Sequence, residues 1–89
     1  MATVHFTAHL RKVAPSGGTK VAAGTLGSAL EEVFANSPRL KAYVVDEQNR
    51  LRRHVVLFLN GERLTPGDWP GRVVAEGDEI YVMQALSGG

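Results

Sequence analysis

Among segments that otherwise alternate polar and apolar residues, the chain carries one long stretch with helical spacing. In residues 26–36 the apolar side chains Leu26, Ala29, Leu30, Val33 and Phe34 recur three or four positions apart, which puts them on one face of a helix. Thr25 offers an N-cap, and Ser28 followed by Glu31 fits a capping box, so the helix starts at one or the other. Asn36-Ser37-Pro38 ends it. A single amphipathic helix covers one face of one sheet. At 89 residues the chain is one domain with one small core. Such a core leaves little material for an enclosed active site, which argues against a stand-alone enzyme.

The strands that this helix must cover are legible as alternation. Residues 3–10 place Val4, Phe6, Ala8 and Leu10 on one face and Thr3, His5, Thr7 and His9 on the other. Pro15-Ser16-Gly17-Gly18 supplies a turn, and 19–23 pairs back as a hairpin until Gly24-Thr25 breaks it. Residues 39–50 are mixed, with a turn at Asp46-Glu47-Gln48-Asn49, and predict a short helical turn leading into an extended segment. Residues 54–59 form the strongest strand; Asn60-Gly61 is a type I′ hairpin pair, and Glu62-Arg63-Leu64 returns. Residues 65–71, with two Pro and two Gly, read as a loop. The turn Glu76-Gly77-Asp78-Glu79 then feeds a last strand over 80–83. The order is β-β-α-β-β-β, with the helix as the natural crossover between parallel strands. This is the α+β, β-grasp layout: a mixed sheet of about five strands with one main helix on one face. Residues 1–83 make that domain, and 84–89 form a flexible C-terminal tail ending in Gly-Gly.

Composition removes several function classes. Ten Lys and Arg against nine Asp and Glu leave a net charge of +1, without the basic excess of a nucleic-acid binder. The absence of cysteine excludes disulfides, iron–sulfur clusters, cysteine nucleophiles and cysteine-ligated zinc. No apolar run approaches the roughly 20 residues that span a bilayer, so no membrane partner is expected. The start, Met-Ala-Thr-Val-His-Phe, has no charged n-region, which predicts no export signal and a cytoplasmic location.

Candidates for catalysis are poor. His5 and His9 share a strand face but stand roughly 13 Å apart, and His54 has no partner at chelating spacing, so all three read as solvated strand residues. Glu31 and Glu32 are adjacent on the helix and do not face each other. Asp78-Glu79 belongs to a turn, and Gly17-Gly18 stands alone between strands rather than in a phosphate loop. No catalytic residue and no metal ligand is assigned. Arg50, Arg52 and Arg53 form a basic cluster that reads as a solvated loop edge or as a docking site for an acidic partner.

Two features carry more. Both strong strands are apolar on both faces: Val55, Leu57 and Leu59 against Val56 and Phe58, and Ile80 and Val82 against Tyr81 and Met83. One helix covers only one of these sets. The other is an exposed partner patch, unless the middle third of the chain folds over it. The second feature is the tail. Its six residues reach about 20 Å, and two glycines thread a channel that any side chain would block. What such a tail delivers is its carboxylate. Attack on the α-phosphate of ATP would turn that poor acyl donor into a mixed anhydride.

Together with the β-grasp order, three motifs carry a family resemblance: Phe58-Leu59-Asn60-Gly61-Glu62, Gly77-Asp78-Glu79-Ile80 and Ala85-Leu86-Ser87-Gly88-Gly89. Over its whole length the chain resembles the ubiquitin-like sulfur carriers, the family of the molybdopterin synthase small subunit and the thiamine sulfur carrier. Leu51-Arg52-Arg53 and the length look most like the subgroup serving cysteine biosynthesis. The resemblance implies that an E1-like enzyme adenylates the carboxylate of Gly89 and that sulfur then displaces AMP to leave a thiocarboxylate. Gly88, Ser87 and Leu86 would be the tail inserted into partner sites, and Phe58, Tyr81 and Met83 the partner-binding patch. The chain itself binds no cofactor; ATP and a sulfur source are used by the activating partner. The second partner would be a sulfur-accepting biosynthetic enzyme for cysteine, molybdopterin, thiazole or another thio-metabolite. Where many relatives carry prolines before the stem, Gln84-Ala85 stand here, which predicts a less stiff tail. The alternatives are a protein modifier conjugated to lysines through Gly89 and a plain β-grasp interaction module.

Overall fold

The computed structural model describes residues 1–7, 18–65 and 67–84. In chain order these form β1 (Ala2–Phe6), β2 (Thr19–Val21), β3 (Gly24–Thr25), α1 (Leu26–Asn36), α2 (Pro38–Val44), β4 (Val55–Leu59), β5 (Glu62–Arg63), a 3-10 turn (Trp69–Gly71), β6 (Val73–Val74) and β7 (Glu79–Gln84). Five strands make one sheet in the order β2-β1-β7-β4-β5, and β3 pairs with β6 in a separate two-stranded ribbon. Within the main sheet β1 and β7 run parallel and the other neighbours antiparallel. This is the β-grasp arrangement that the order of elements predicts.

Helix α1 spans the stretch with helical spacing, and its five apolar residues are all buried. Thr25 is the cap: its Oγ1 accepts the Ser28 N–H at 3.2 Å, and the Ser28 hydroxyl donates back to the Thr25 carbonyl. Leu30 belongs to the same buried core as Val4, Leu57, Ile80 and Val82, all five without solvent exposure. These strand residues are the alternate positions of β1, β4 and β7, as period-2 spacing requires.

Four expectations need adjustment. The first strand begins at Ala2 rather than Thr3, because Ala2 pairs with Val21; Ala8, His9 and Leu10 lie outside the described residues. Residues after Pro38 form a full helix, α2, rather than a short turn. Pro38 sits at its first positions, where the missing N–H costs nothing, and Leu40 and Val44 bury the same face four residues apart. The segment 65–71 is not plain loop. Trp69 is buried, and Pro70 presses so close to α1 that a Cβ on Gly27 would stand 3.0 Å from the Pro70 carbonyl. Finally, Gln84 is the last residue of β7, opposite Val55, not the first of the tail.

The β4–β5 hairpin turns at Asn60 and Gly61, both with positive φ (51° and 86°), the type I′ geometry. Asn60 also ties this turn to the start of β7. Its amide nitrogen donates to Asp78 Oδ1 and its oxygen accepts the Glu79 N–H, each at 2.9 Å. The Asn60 amide, with the Ala75 N–H, holds the Asp78 carboxyl below its ordinary value of 3.8. Backbone N–H groups of Arg50 and Gln48 do the same for Asp46.

Two outcomes follow. Truncating Leu57 to Ala in the centre of the core should cost about 2–5 kcal/mol in urea unfolding. Depressed carboxylates stabilise the fold above their unfolded pKa and lose that contribution as pH falls through the folded value. The thermal midpoint should therefore drop as pH goes below the ordinary aspartate value of 3.8, and Asp78→Asn or Asp46→Asn should each flatten that decline.

Candidate functional site

The core fills one side of the sheet and leaves the other open. Strand register sets what lies there. His5 pairs with Tyr81, Tyr81 with Phe58, and Phe58 with Arg63, so one row crosses β1, β7, β4 and β5. The next row toward the end of β7 pairs Met83 with Val56. Tyr81 and Met83 are 42% and 37% exposed, while Phe58 and Val56 are half-buried. Phe58, Tyr81 and Met83 thus share one surface. The middle third of the chain contributes Leu40, Val44 and Val45 to the core on the other side.

One side chain on this face was undervalued in the sequence. His5 is half-buried, not a freely solvated strand residue: its ring stacks on Tyr81 with centroids 4.6 Å apart and 17° between planes. Its Nε2 stands 2.6 Å from Glu79 Oε1. Gly18 closes the other side, where an added Cβ would lie 2.5 Å from Thr3 Cγ2 and 3.1 Å from His5 Cε1. The signal was missed because Glu79 is 74 positions away and meets His5 only through the parallel β1–β7 register. The stack and the bond fix how the Tyr81 ring is presented.

β7 lies between β1 and β4, and Gln84, its last residue, pairs with Val55. Leu86, Ser87, Gly88 and Gly89 lie outside the described residues. Among the described residues no three His, Asp or Glu side chains converge as a metal would require, and no buried polar side-chain atom lacks a partner. No helix there is long and apolar enough to cross a membrane. What the face can do is bind: an apolar centre with a polar margin of His5, Glu79 and Arg63 has the composition of a protein interface.

Comparison with known proteins agrees with this geometry. The chain matches the model of the ThiS family over residues 4–89. It is similar to SAMP1, the small archaeal modifier protein 1 of Haloferax volcanii, at 28% identity and TM-score 0.79, covering 99% of this chain and 98% of that one. A chain of the BexX/CysO complex of Amycolatopsis orientalis superposes with TM-score 0.85 at 22% identity, each covered in full. CysO of Mycobacterium tuberculosis gives 0.83 at 21%, covering 97% of this chain and 100% of that one. No curated protein sequence matches. With nearly its whole length inside the family model and a β-grasp fold shared with these neighbours, the chain belongs to the ThiS family of ubiquitin-like sulfur carriers.

Proposed function

We propose that the chain is a protein co-substrate that carries sulfur as a thiocarboxylate on Gly89. The observation that carries this reading is the position of β7: a central strand, held on both sides, that ends at Gln84 with a Gly-Gly terminus five residues on. The family match supports it. In the first step a carboxylate oxygen of Gly89 attacks the α-phosphorus of ATP on an E1-like enzyme, and pyrophosphate leaves. Sulfide then attacks the acyl carbon. AMP departs with the bridging oxygen, so one carboxyl oxygen is exchanged for sulfur. On a biosynthetic enzyme that sulfur bonds to the acceptor, water cleaves the bond between it and the acyl carbon, and the carrier returns as the carboxylate. With no cysteine of its own, the chain depends on others for sulfur. ATP use by the partner fits a cytoplasmic location.

Within this scheme the open face docks and the tail reacts. Phe58, Tyr81 and Met83 bind the activating enzyme, while Leu86, Ser87 and Gly88 lead Gly89 into its site. Ser87 and the two glycines suit a narrow channel. The two exposed members, Tyr81 and Met83, are the side chains that a partner could desolvate, and buried aromatic or large apolar anchors dominate such interfaces.

A second reading is favoured by one observation. The similarity to SAMP1, whose name says modifier, is higher in identity than that to CysO. In that reading a lysine amine, not sulfur, displaces AMP and forms an amide with Gly89.

Incubation with ATP, sulfide and an E1-like enzyme from the same source should change the intact mass by one oxygen-to-sulfur exchange. The change should map to the peptide ending at Gly89 and vanish without ATP. An unchanged mass with an activator proven on another carrier sinks the proposal, and Gly89-linked lysines in lysates of the same source would support the modifier reading. Met83→Asp should lower kcat/KM for activation by about tenfold or more while leaving the thermal midpoint near that of the unaltered chain.

A further inference from the structure

The basic run ahead of β4 is absorbed neither by the core nor by the open face. Val55 pairs with Gln84, so residues 50–54 lie beside the point where β7 ends and the tail departs. Arg50, Arg52, Arg53 and His54 line an open hollow there with Asp46 and Leu51. Their charges are not equally available. Arg50 Nε stands 3.4 Å from Asp46 Oδ2, and that carboxylate also accepts the N–H groups of Gln48 and Arg50, so this pair organises its own turn.

Arg52 and Arg53 differ. Both are exposed, and neither lies within ion-pair distance of an acidic side chain. All nine Asp and Glu of the chain are among the described residues, and Asp46 and Glu47, which line neighbouring hollows with Arg52, stand beyond ion-pair distance of both arginines. Arg52 is nonetheless held in place. Its Nε donates to the Ala42 carbonyl at 2.6 Å, its backbone N–H bonds the Val44 carbonyl, and the Val45–Leu51 bridge fastens the segment to the end of α2. One guanidinium group, that of Arg52, is thus held in place ahead of β4, with the exposed Arg53 beside it. Val56, three residues on from Arg53, is already part of the apolar face.

We propose that Arg52 and Arg53 dock on an acidic rim around the opening through which the activating enzyme receives the tail. This inference rests on the carrier reading above. An enzyme that swallows an extended C-terminus must meet whatever surrounds its base, and here that is uncompensated positive charge. Arginine suits the role because its planar fork engages carboxylates in two parallel hydrogen bonds. Two neighbouring arginines in a chain of net charge +1 are too few for nucleic-acid affinity, which grows with the number of phosphates neutralised. At the other end of the strands the turn before β7 carries Glu76, Asp78 and Glu79, so an acidic opening repels an approach by that end. Charges of this kind act mainly on the rate of productive encounter.

The test measures association of the full chain with its ATP-dependent activating enzyme by stopped flow, at low and high salt, alongside thiocarboxylate formation. Arg53→Glu should slow association by about tenfold at low salt with little change in dissociation, and the gap should close as salt screens the rim. Arg53→Lys should restore most of the rate. Lys20→Glu makes the same change in net charge on β2, where pairing with Thr3 places it at the far end of the sheet; its association rate should stay within about twofold of the unaltered chain. Arg53 is exposed, so an unchanged thermal midpoint is expected for its variants. An unaltered association rate for Arg53→Glu, or an equal loss for Lys20→Glu, overturns the docking contact while leaving the carrier role intact. A loss of turnover without a loss of association also overturns it, pointing to contact with the nucleotide instead. Failure of the unaltered chain to be activated at all overturns the carrier reading, and this contact with it.

Discussion

The parallel pairing of β1 with β7 is the constraint on which the rest depends. Strands that run side by side in the same direction need a crossover, and every element between Phe6 and Glu79 is fitted into that return path. α1 occupies the crossover and brings its single apolar stripe onto the inner face. The same pairing makes β7 central, with backbone partners on β1 and on β4. Its ladder with β1 runs as far as Val82, and Gln84 at its end pairs with Val55 of β4.

A one-sided helix layer also creates the surface. Five apolar residues of α1 satisfy the inner positions of β1, β4 and β7, while Val56, Phe58, Tyr81 and Met83 remain on the other side. Leaving an apolar row in water raises the free energy of the isolated domain, and the row is partly shielded by its own margin. The His5 ring lies against Tyr81, and the His5–Glu79 bond keeps it there. Stacking of this kind contributes a modest amount beyond area burial. Its larger effect is order: an aromatic ring already held in one orientation loses less entropy when a partner covers it. The basic pair at the foot of the tail and the aromatic row meet through Val56, so anchor, face and charge form one continuous surface.

How much of this was legible depends on the range of the interaction. The α1 stripe, the β4 alternation and the Asn60-Gly61 turn are local patterns, and each appears in the structure where spacing and turn chemistry put it. α2 was under-read because its apolar signal is only Leu40 and Val44 within seven residues, beside a proline that looks like a stop. Trp69 was hidden among Pro and Gly, where composition suggests loop and only packing against α1 makes a core residue of it. The β3–β6 ribbon has two residues per strand, too few for any periodicity. At the site, alternation set Phe58, Tyr81 and Met83 apart from the opposite positions of their strands, because both faces are apolar, and the family resemblance proposed them as the partner patch. His5 was misjudged for the opposite reason. Its partners come from the far end of the chain, and no local pattern announces a parallel register.

Carrier and modifier chemistry share every step up to the acyl adenylate of Gly89 and part only at the nucleophile. Up to that point the proposed contribution of the chain is the same: a face to be gripped and the carboxyl of Gly89. No thiol in the chain competes for the activated carbonyl, so the nucleophile that reaches it is the one the bound partner supplies. Selection between sulfur and amine then lies in which partner the open face and its basic margin admit, because an enclosed channel excludes other nucleophiles and water. The side chains that decide the fate of Gly89 are on this view not those next to it. In the proposed scheme they are Tyr81, Met83 and the arginines ahead of β4, which would govern what the chain's end is allowed to enter.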